Sequence, residues 1–381
     1  MDKPDVIIVG AGPAGSTMAR LLARHGIQVL LLEAKRHPRR KPCGESLNPG
    51  AVQALRRMGL NLEQPIIVEA PVIEGWRLHF NRTKLAVQFP GSVRGITCAR
   101  DKLDHWLVDE AVQAGTELWQ GVRVERLLRE NGRVTGVLCR MENGQTVKKQ
   151  ARLIIGADGL RSTVGREAGL TKLGQLRKAA FTFHMEGVRE LDPFIELHLQ
   201  KGMVVGMAPV GEGLANLTVG MPSELAKNAA RRKEDFVREV LGQMPHLTKR
   251  IETARLTDAL LGCGPFECRG SAAAAGVILI GDAAGYYDPL TGQGIYRALR
   301  SAEMAAPMVM AALRSGLDGP LYRYNRIIRE EFANAGRLQR YIELASRSPL
   351  VFKSALRGLA LNRFWRERLT SVIGDIVPDG I

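Results

Sequence analysis

The 381-residue sequence is poor in aromatic side chains, which make up 5% of it, and its longest apolar stretch is the short segment 302–313, which includes Glu303. A membrane-spanning helix needs roughly 18 consecutive apolar residues. The five cysteines are an odd number and lack the paired spacing of a metal site or a disulfide framework. These absences exclude integral membrane proteins and small disulfide scaffolds, and they favour a cytoplasmic protein with reduced thiols and no bound metal.

Acidic residues are also scarce relative to basic ones, 39 against 54, which gives a net charge of +15. The basic residues cluster at positions 35–41 and 323–368. Neither cluster contains a nucleic-acid motif or aromatic residues interleaved as a stacking platform, so we expect no nucleic-acid partner. Solvated basic faces are the favoured interpretation, and contact with an anionic membrane surface or with an acidic cofactor is the alternative. The N-terminus runs directly into a strand-like segment, so we expect no signal peptide.

Hydrophobic patterning divides the chain into segments of two kinds. Residues 5–33 form a complete βαβ unit, in which two short apolar runs flank a helix that Gly26 ends. Residues 175–222 instead alternate apolar and polar positions, which predicts an antiparallel sheet. Further predicted helices cover 51–58, 101–114 and most of the chain after 295; further strands cover 72–89, 151–155 and 277–280, with a hairpin over 122–140 turning at Asn131-Gly132.

The most informative motif is Gly10-Ala11-Gly12-Pro13-Ala14-Gly15, which follows the first strand and opens the first helix. Gly10 permits a tight turn, Gly12 lets the backbone approach a pyrophosphate, and Gly15 lets the helix pack against the sheet. The helix N-terminus favours phosphate groups. Glu33, at the end of the second strand, is placed to accept hydrogen bonds from ribose hydroxyls. The segment therefore predicts a dinucleotide site without a 2′-phosphate.

Two further motifs put an aspartate after a buried strand: Gly156-Ala157-Asp158-Gly159 and Gly281-Asp282-Ala283-Ala284-Gly285. Open α/β sheets bind ligands at the carboxyl ends of their strands. The loop 288–294 then opens another helix, and its glycines would let backbone N–H groups approach a ligand.

With these motifs the chain resembles the large FAD-dependent family that contains para-hydroxybenzoate hydroxylase, flavin-dependent halogenases and geranylgeranyl reductases. The resemblance implies FAD as cofactor. It assigns the ADP half to the N-terminal motif and Glu33, the flavin side to Arg100, the adenine to the strand at Val124, and the ribityl chain to Asp282. Asp158 and Gly159 match a motif implicated in both FAD and NAD(P)H binding. The implied cofactor-binding residues are Gly10, Gly12, Ala14, Gly15, Glu33, Ala34, Gly44, Arg100, Val124, Asp158, Gly159, Gly281, Asp282, Pro289, Gly292, Gln293, Gly294 and Ile295.

The implied fold is α/β: a Rossmann-type FAD-binding domain interleaved with an antiparallel-sheet substrate domain, plus C-terminal helices. We assign residues 1–70, 95–170 and 270–320 to the first domain, 71–94 and 171–269 to the second, and 321–381 to the helical region. A second GxGxxG unit is missing from the sequence. We therefore expect that NAD(P)H either binds transiently or acts through a partner flavin reductase.

The reaction is predicted less sharply than the cofactor. Cys43, within Lys41-Pro42-Cys43-Gly44-Glu45, resembles the cysteine of geranylgeranyl reductases, and is our candidate catalytic residue. The stretch 202–209 lacks the aromatic residues that those reductases usually carry. We therefore favour a monooxygenase of a lipophilic aromatic, polyketide or terpenoid substrate. An ene-reductase of prenyl chains is the first alternative, and a non-catalytic FAD-binding protein is the second. A halogenase is disfavoured, because none of the four tryptophans lies in a Trp-x-Trp motif like that of the flavin-dependent halogenases.

Two features remain open from the sequence alone. His79, His184 and His198 lie on predicted strands that would roof the pocket, and structural roles are favoured for all three. In the helix 350–361 an apolar face is expected opposite Lys353 and Arg357. Packing as a lid over the other domains is favoured for this helix, and a membrane-surface contact that admits a lipophilic substrate is the alternative.

Overall fold

The computed structural model describes residues 3–80, 83–174, 178–200, 202–211, 213–264, 266, 268–286, 291–346 and 348–376. Its strands are β1 (Val6–Val9), β2 (Val29–Glu33), β3 (Ser46–Leu47), β4 (Val72–Ile73), β5 (Gly75–Phe80), β6 (Thr83–Gln88), β7 (Gly95–Thr97), β8 (Glu117–Gln120), β9 (Val122–Glu130), β10 (Arg133–Met141), β11 (Thr146–Gln150), β12 (Leu153–Gly156), β13 (Thr171–Leu173), β14 (Lys178–Glu186), β15 (Phe194–Gln200), β16 (Met203–Gly211), β17 (Leu214–Pro222), β18 (Arg255–Leu256), β19 (Leu261–Cys263), β20 (Cys268–Gly270), β21 (Ala273–Ala274) and β22 (Val277–Leu279).

The helices complete the described chain, with a short 3₁₀ turn over Gly281–Ala284. They are α1 (Pro13–Ala23), α2 (Pro49–Arg57), α3 (Pro65–Val68), α4 (Arg100–Gln113), α5 (Thr163–Glu167), α6 (Ser223–Ala229), α7 (Lys233–Gly242), α8 (Pro245–Thr248), α9 (Gly294–Ser315), α10 (Gly319–Glu331), α11 (Ala333–Ser346), α12 (Pro349–Leu361) and α13 (Arg363–Gly374).

A six-stranded sheet in the order β21-β22-β12-β1-β2-β8 carries the dinucleotide motif. Its central strands are short runs of Val, Ile and Leu that are buried along their whole length. Such continuous apolar runs are typical of parallel strands covered on both faces. β1 pairs in parallel with β2 and with β12, so the loops after these strands meet at one edge of the sheet. The α/β fold class is thus confirmed.

The predicted hairpin is also present. β9 and β10 pair antiparallel with Arg133 opposite Glu130. Asn131 and Gly132 both have positive φ, 49° and 80°, as a two-residue hairpin turn of this hand requires. A third strand, β11, which the sequence analysis does not predict, continues the same small sheet.

The larger sheet is built from two distant segments of the chain. Its order is β18-β14-β17-β16-β15-β5-β6, with β19 also paired to β14. β14 to β17 are antiparallel neighbours, as the alternating pattern predicts. β15 pairs in parallel with β5, with Ile195 opposite Trp76. This parallel pairing joins segment 71–94 to segment 171–269; the domain boundaries themselves stay a prediction.

Both faces of the larger sheet are covered. Helices α6 to α8 pack on one face through residues such as Phe236 and Leu241. The C-terminal helices pack on the other face, where Phe352, Leu356 and Ile373 join the apolar side chains of β5 and β15. Of the helices described, none is both long and apolar enough to cross a bilayer.

The exposure of α12 differs from the prediction. Phe352 and Leu356 are buried, whereas Leu350 and Val351 are 79% and 55% exposed. The expected single apolar face is therefore wrong. The helix is apolar on two sides: Phe352 and Leu356, four positions apart, share the inward face, whereas Leu350 and Val351 precede Phe352 by two and one positions and point elsewhere around the axis. The inward side covers the sheet, as expected of a lid.

Candidate active site

The loop after β1 has the geometry of a nucleotide cradle. Gly10 has φ +100°, and a Cβ there would lie 2.5 Å from the Ala157 carbonyl oxygen. A Cβ on Gly15 would lie 1.8 Å from the Gly10 carbonyl oxygen. Beside Gly12, in contrast, the nearest atom to a Cβ would be 3.9 Å away, on Arg39. The two outer glycines are thus required by packing, and the middle one faces open space at the N-terminus of α1, where a phosphate fits.

Glu33 ends β2 beside this loop and is buried. Its carboxylate accepts hydrogen bonds from the backbone N–H groups of Ala11 and Lys35, each at 2.9 Å, and pairs with Arg39 at 3.2 Å. Glu33 therefore also holds the glycine-rich loop after β1 in place, in addition to its predicted contact with the ribose. Ala34 follows it in an exposed bend.

Arg100 begins α4 and is almost fully buried against Asp104. Two hydrogen bonds of 2.8 Å join the guanidinium to that carboxylate. Burial lowers the pKa of Arg100, but Asp104 and the nearby Cys43 raise it further, so the group stays charged. Arg39 reaches the same Asp104 at 3.5 Å. Asp104, which sequence reasoning missed, thus holds the predicted flavin-side arginine in place.

Asp158 serves a local purpose in this structure. Its carboxylate accepts hydrogen bonds from the Ser162 hydroxyl at 2.5 Å and from the Thr163 N–H at 2.6 Å, at the N-terminus of α5. Burial raises the pKa of Asp158, and these hydrogen bonds oppose the rise. The adjacent Gly159, with φ +78°, and Asp282 both line a cavity that lies between the nucleotide loop and the larger sheet.

The other predicted residues lie around the same cavity or behind it. A Cβ on Gly281 would meet Ala14 at 2.9 Å, so these two positions pack closely. Gly44, Gly292, Gly294 and Ile295 line the cavity. The Gln293 amide points instead to the C-terminal helix, where it donates to the Val372 carbonyl and to Asp375. Val124 is buried on β9, and Pro289 lies outside the described residues.

The cavity has a volume of about 500 Å³ and extends from the nucleotide loop to the larger sheet. Its far wall is mainly apolar. The side chains that form this wall come from β5, β15, β16 and α12 and include Trp76, Phe80, Leu197, Met203, Val204 and Phe352. Aromatic residues that β16 lacks are thus supplied by β5 and α12. Walls of this kind are typical of small-molecule sites.

Cys43 lies in the cavity wall. Its sulfur accepts a hydrogen bond of 3.3 Å from the Glu45 N–H, and its carbonyl accepts one of 3.0 Å from Asn216. Glu45 has φ +59°, an uncommon backbone conformation for a residue other than glycine. The segment around Cys43 is therefore held in a fixed shape beside the cavity.

The three candidate histidines separate into two groups. His184 is on β14, on the same side as the cavity-lining Thr182, and its ring contacts Glu45 and Asp258. His79 and His198 alternate with the cavity-lining Phe80 and Leu197, so they lie on the far face of the sheet. The expectation that all three roof the pocket is wrong for His79 and His198.

Among the described residues, His79, Glu196 and His198 are close enough together to hold a metal ion. However, the two imidazole rings stack 4.3 Å apart and nearly parallel, and the Nε2 atom of each lies 3.2 Å from the same oxygen of Glu196. Arg250 also contacts the Glu196 carboxylate at 2.8 Å. The cluster is therefore better described as a buried ion network.

The fold and the site define a flavoprotein oxidoreductase, with a dinucleotide cradle that opens into a mainly apolar cavity. Comparisons with known proteins agree. Residues 3–335 match the family described as "FAD binding domain". The digeranylgeranylglycerophospholipid reductase of Thermoplasma acidophilum is 30% identical over 87% of this chain and 85% of its own length. The menaquinone reductase of Mycolicibacterium smegmatis is 29% identical over 90% of this chain and 84% of its own.

Solved structures show the same fold. A geranylgeranyl bacteriochlorophyll reductase-like protein from Thermoplasma acidophilum has a TM-score of 0.75 and 26% identity, covering 99% of this chain and 93% of its own. A flavin-dependent brominase has a TM-score of 0.86 at 22% identity, covering 98% and 94%. The chain belongs to the FAD-binding family that includes these reductases, and it is an FAD-dependent oxidoreductase.

Proposed function

We propose that the protein is an ene-reductase that saturates carbon–carbon double bonds in a polyprenyl chain. The observation that carries this proposal is the cavity of about 500 Å³, which joins the FAD cradle to an apolar wall. The names of the relatives support it, since those at 29–30% identity are reductases of prenylated lipids or of menaquinone. None of the relatives described above is named as a monooxygenase, which favours alkene reduction over the oxygen insertion expected from the sequence.

Bound reduced FAD would supply the hydride. The chain's own residues would orient the substrate: Trp76, Phe80 and Phe352 line the wall against which a flexible isoprenoid can lie. Gly292 lets the backbone lie close to the Trp76 indole, because even a Cβ at this position would be only 3.2 Å from that ring. Cys43 and Glu45 also line the cavity, where the Glu45 backbone N–H donates to the Cys43 sulfur at 3.3 Å.

The direct test uses the FAD-loaded protein, reduced anaerobically with dithionite and mixed with geranylgeraniol. We expect flavin absorbance to return at a rate that depends on substrate, and a product that has gained two hydrogens for each double bond reduced. Substitution of Phe80→Asp should abolish turnover while the FAD content stays unchanged; Val68→Asp, at a well-exposed site, is the matched control. A product that gains oxygen in aerobic buffer, with the alkenes otherwise intact, would contradict the proposal and support a monooxygenase.

For the electron donor we propose NAD(P)H, acting directly or through a partner flavin reductase. The single GxGxxG motif of the sequence is the support for this, since it leaves a second nucleotide without a dedicated strand–helix unit. Anaerobic addition of NADH and of NADPH tests it. Rapid bleaching of the flavin by either nucleotide shows direct transfer, whereas bleaching only in the presence of a flavin reductase shows the indirect route. Bleaching by neither contradicts the proposal.

We also propose that α12 and α13 place the protein on an anionic membrane, from which a lipid substrate enters. Leu350, Leu361, Phe364 and Trp365 are all more than half exposed. The two helices contain five basic residues and one acidic residue. Exposed apolar side chains beside basic ones suit an interface with anionic lipids. The inward side of α12 reaches the cavity through Phe352, so the membrane face and the substrate wall share one helix.

Sedimentation with lipid vesicles tests the membrane proposal. We expect binding to vesicles that contain phosphatidylglycerol and much weaker binding to pure phosphatidylcholine. The double variant Leu361→Ser, Trp365→Ser should lose most of the binding. Leu317→Ser, at a site that is 67% exposed but remote from these helices in sequence, should bind as the wild type does. Equal binding by the double variant would overturn the proposal.

A further inference from the structure

Glu45 is a buried carboxylate in the wall of the cavity. One oxygen accepts a hydrogen bond of 3.0 Å from the backbone N–H of Arg100, at the N-terminus of α4. The other accepts from the Asn216 amide at 3.1 Å and from the His184 ring at 2.7 Å. These bonds hold the carboxylate between the cavity on one side and His184 on the other.

His184 is held between two carboxylates. Its Nε2 lies 2.7 Å from Glu45, and its Nδ1 lies 2.6 Å from Asp258. An ionised carboxylate can only accept a hydrogen bond, so both ring nitrogens must carry a proton. The hydrogen bond to Glu45, opposed by burial and aided by Asp258, raises the pKa of His184 to about 9. The residue is therefore an imidazolium at neutral pH.

Asp258 connects this imidazolium to the protein surface. Its side chain is 19% exposed and also pairs with Arg40 at 2.6 Å; the side chain of Arg40 is 34% exposed. The order of contacts is then Asp258, His184, Glu45 and cavity. Exposure falls along it, from 19% at Asp258 through 15% at His184 to 5% at Glu45. We call these three residues the proton path.

We propose that His184 is a proton reservoir for the cavity and that Glu45 passes its proton to the reacting site. This inference rests on the proposed function, because reduction of an alkene consumes one hydride and one proton. The hydride would add to one alkene carbon, and the proton to the other. The proton lost from Nε2 moves onto the Glu45 carboxylate and then into the cavity, which leaves a neutral ring that still carries its Nδ1 proton beside Asp258. Rotation of the ring then turns the unprotonated nitrogen toward Asp258, where it regains a proton from solvent.

The groups that face His184 explain why it can perform this role. Among the residues that the structure describes, Glu45 and Asp258 are the charged groups in direct contact with the ring, Arg40 lies behind Asp258, and Asn216 contributes only a neutral amide. Two carboxylates favour the charged ring, while Arg40 limits that preference. A group that is protonated at neutral pH but still titratable can both store and release a proton.

The first test is the pH profile of geranylgeraniol-driven flavin oxidation in the FAD-loaded protein. We expect a constant rate at neutral pH that falls above pH 9 in the wild type. His184→Gln should lower the rate at neutral pH roughly a hundredfold, with no break near pH 9 and an unchanged half-saturating concentration. Asp258→Asn should move the break to lower pH and keep a measurable rate. His25→Gln, at an exposed histidine, should match the wild type.

The proposal is wrong if His184→Gln keeps the wild-type rate, or if it loses rate but keeps the wild-type pH profile. A second measurement separates this from the proposed function. In protein labelled with ¹⁵N-histidine, the resonance missing from His184→Gln should report a doubly protonated ring that titrates near pH 9. Titration near 6.5 would overturn the reservoir. Titration near 9 in a protein that leaves the alkene intact would overturn the proposed function instead.

Discussion

The charge on His184 has a consequence for stability that is independent of any reaction. Its folded-state pKa of about 9 lies above the ordinary value of 6.5. The folded protein therefore binds a proton that the unfolded chain releases between these two values. The stabilisation is complete below pH 6.5 and is lost as the pH rises through 9.

The size of the effect follows from the pKa difference. The difference from 6.5 to about 9 corresponds to about 3 kcal/mol of unfolding free energy. Water reaches part of the site, since Asp258 is 19% exposed, and this screening reduces the expected value to about 2 kcal/mol. Urea unfolding followed by tryptophan fluorescence, below pH 6.5 and above pH 9, gives the measurement.

His184→Gln provides the comparison, because glutamine can donate a hydrogen bond but cannot be protonated in this range. We expect the wild type to lose about 2 kcal/mol more than this variant across the window. The same comparison with His25→Gln controls for the loss of an exposed histidine. Identical pH dependence in wild type and His184→Gln would refute the assignment of the charge.

Two further predictions concern the FAD cradle. Gly15→Ala should abolish FAD retention on purification, because the new Cβ would lie 1.8 Å from a carbonyl oxygen; Gly26→Ala has φ +75° but no atom within 4 Å, and should cost only about 1 kcal/mol while FAD binding is kept. Asp104→Asn should lower stability by about 3–5 kcal/mol in thermal unfolding, because Arg100 would remain buried without its counter-ion. Asp109→Asn, at a half-exposed site on the same helix, should change little. Equal losses in either matched pair would contradict the packing or the charge argument.

The parts of the fold that the sequence predicts are those set by local patterns. Gly10 and Gly15 stand where a strand ends and a helix begins, and Asn131-Gly132 is a turn whose backbone angles few other residues adopt. The turn and the approach of Gly15 to Gly10 depend on neighbours within a few residues, although Gly10 also packs against the distant Ala157. The residue types at these positions therefore predict the backbone conformation directly.

The parts that the sequence does not predict depend on contacts between distant segments. The parallel pairing of β5 with β15 joins strands more than a hundred residues apart, and no periodicity in either strand records it. Likewise Glu45 and His184 are separated by 139 positions. Glu45 lies in the same motif as Cys43, but a lone carboxylate after a Cys-Gly pair gives no indication of its partner. His184 can be assigned to the cavity side only from its position on β14, two residues after the cavity-lining Thr182.

The arrangement of charge explains how so basic a protein can present a nearly neutral cofactor site. Glu33, Arg39, Asp104 and Arg100 form a continuous chain of ion pairs from the nucleotide loop to the cavity. The two carboxylates balance the two guanidiniums, so this series of ion pairs carries little net positive charge. The diphosphate of a bound dinucleotide would then be held mainly by the N–H groups and dipole at the start of α1. About half of the basic surplus lies over positions 323–368, with 11 basic against 4 acidic residues, where the proposed anionic lipid surface would meet it.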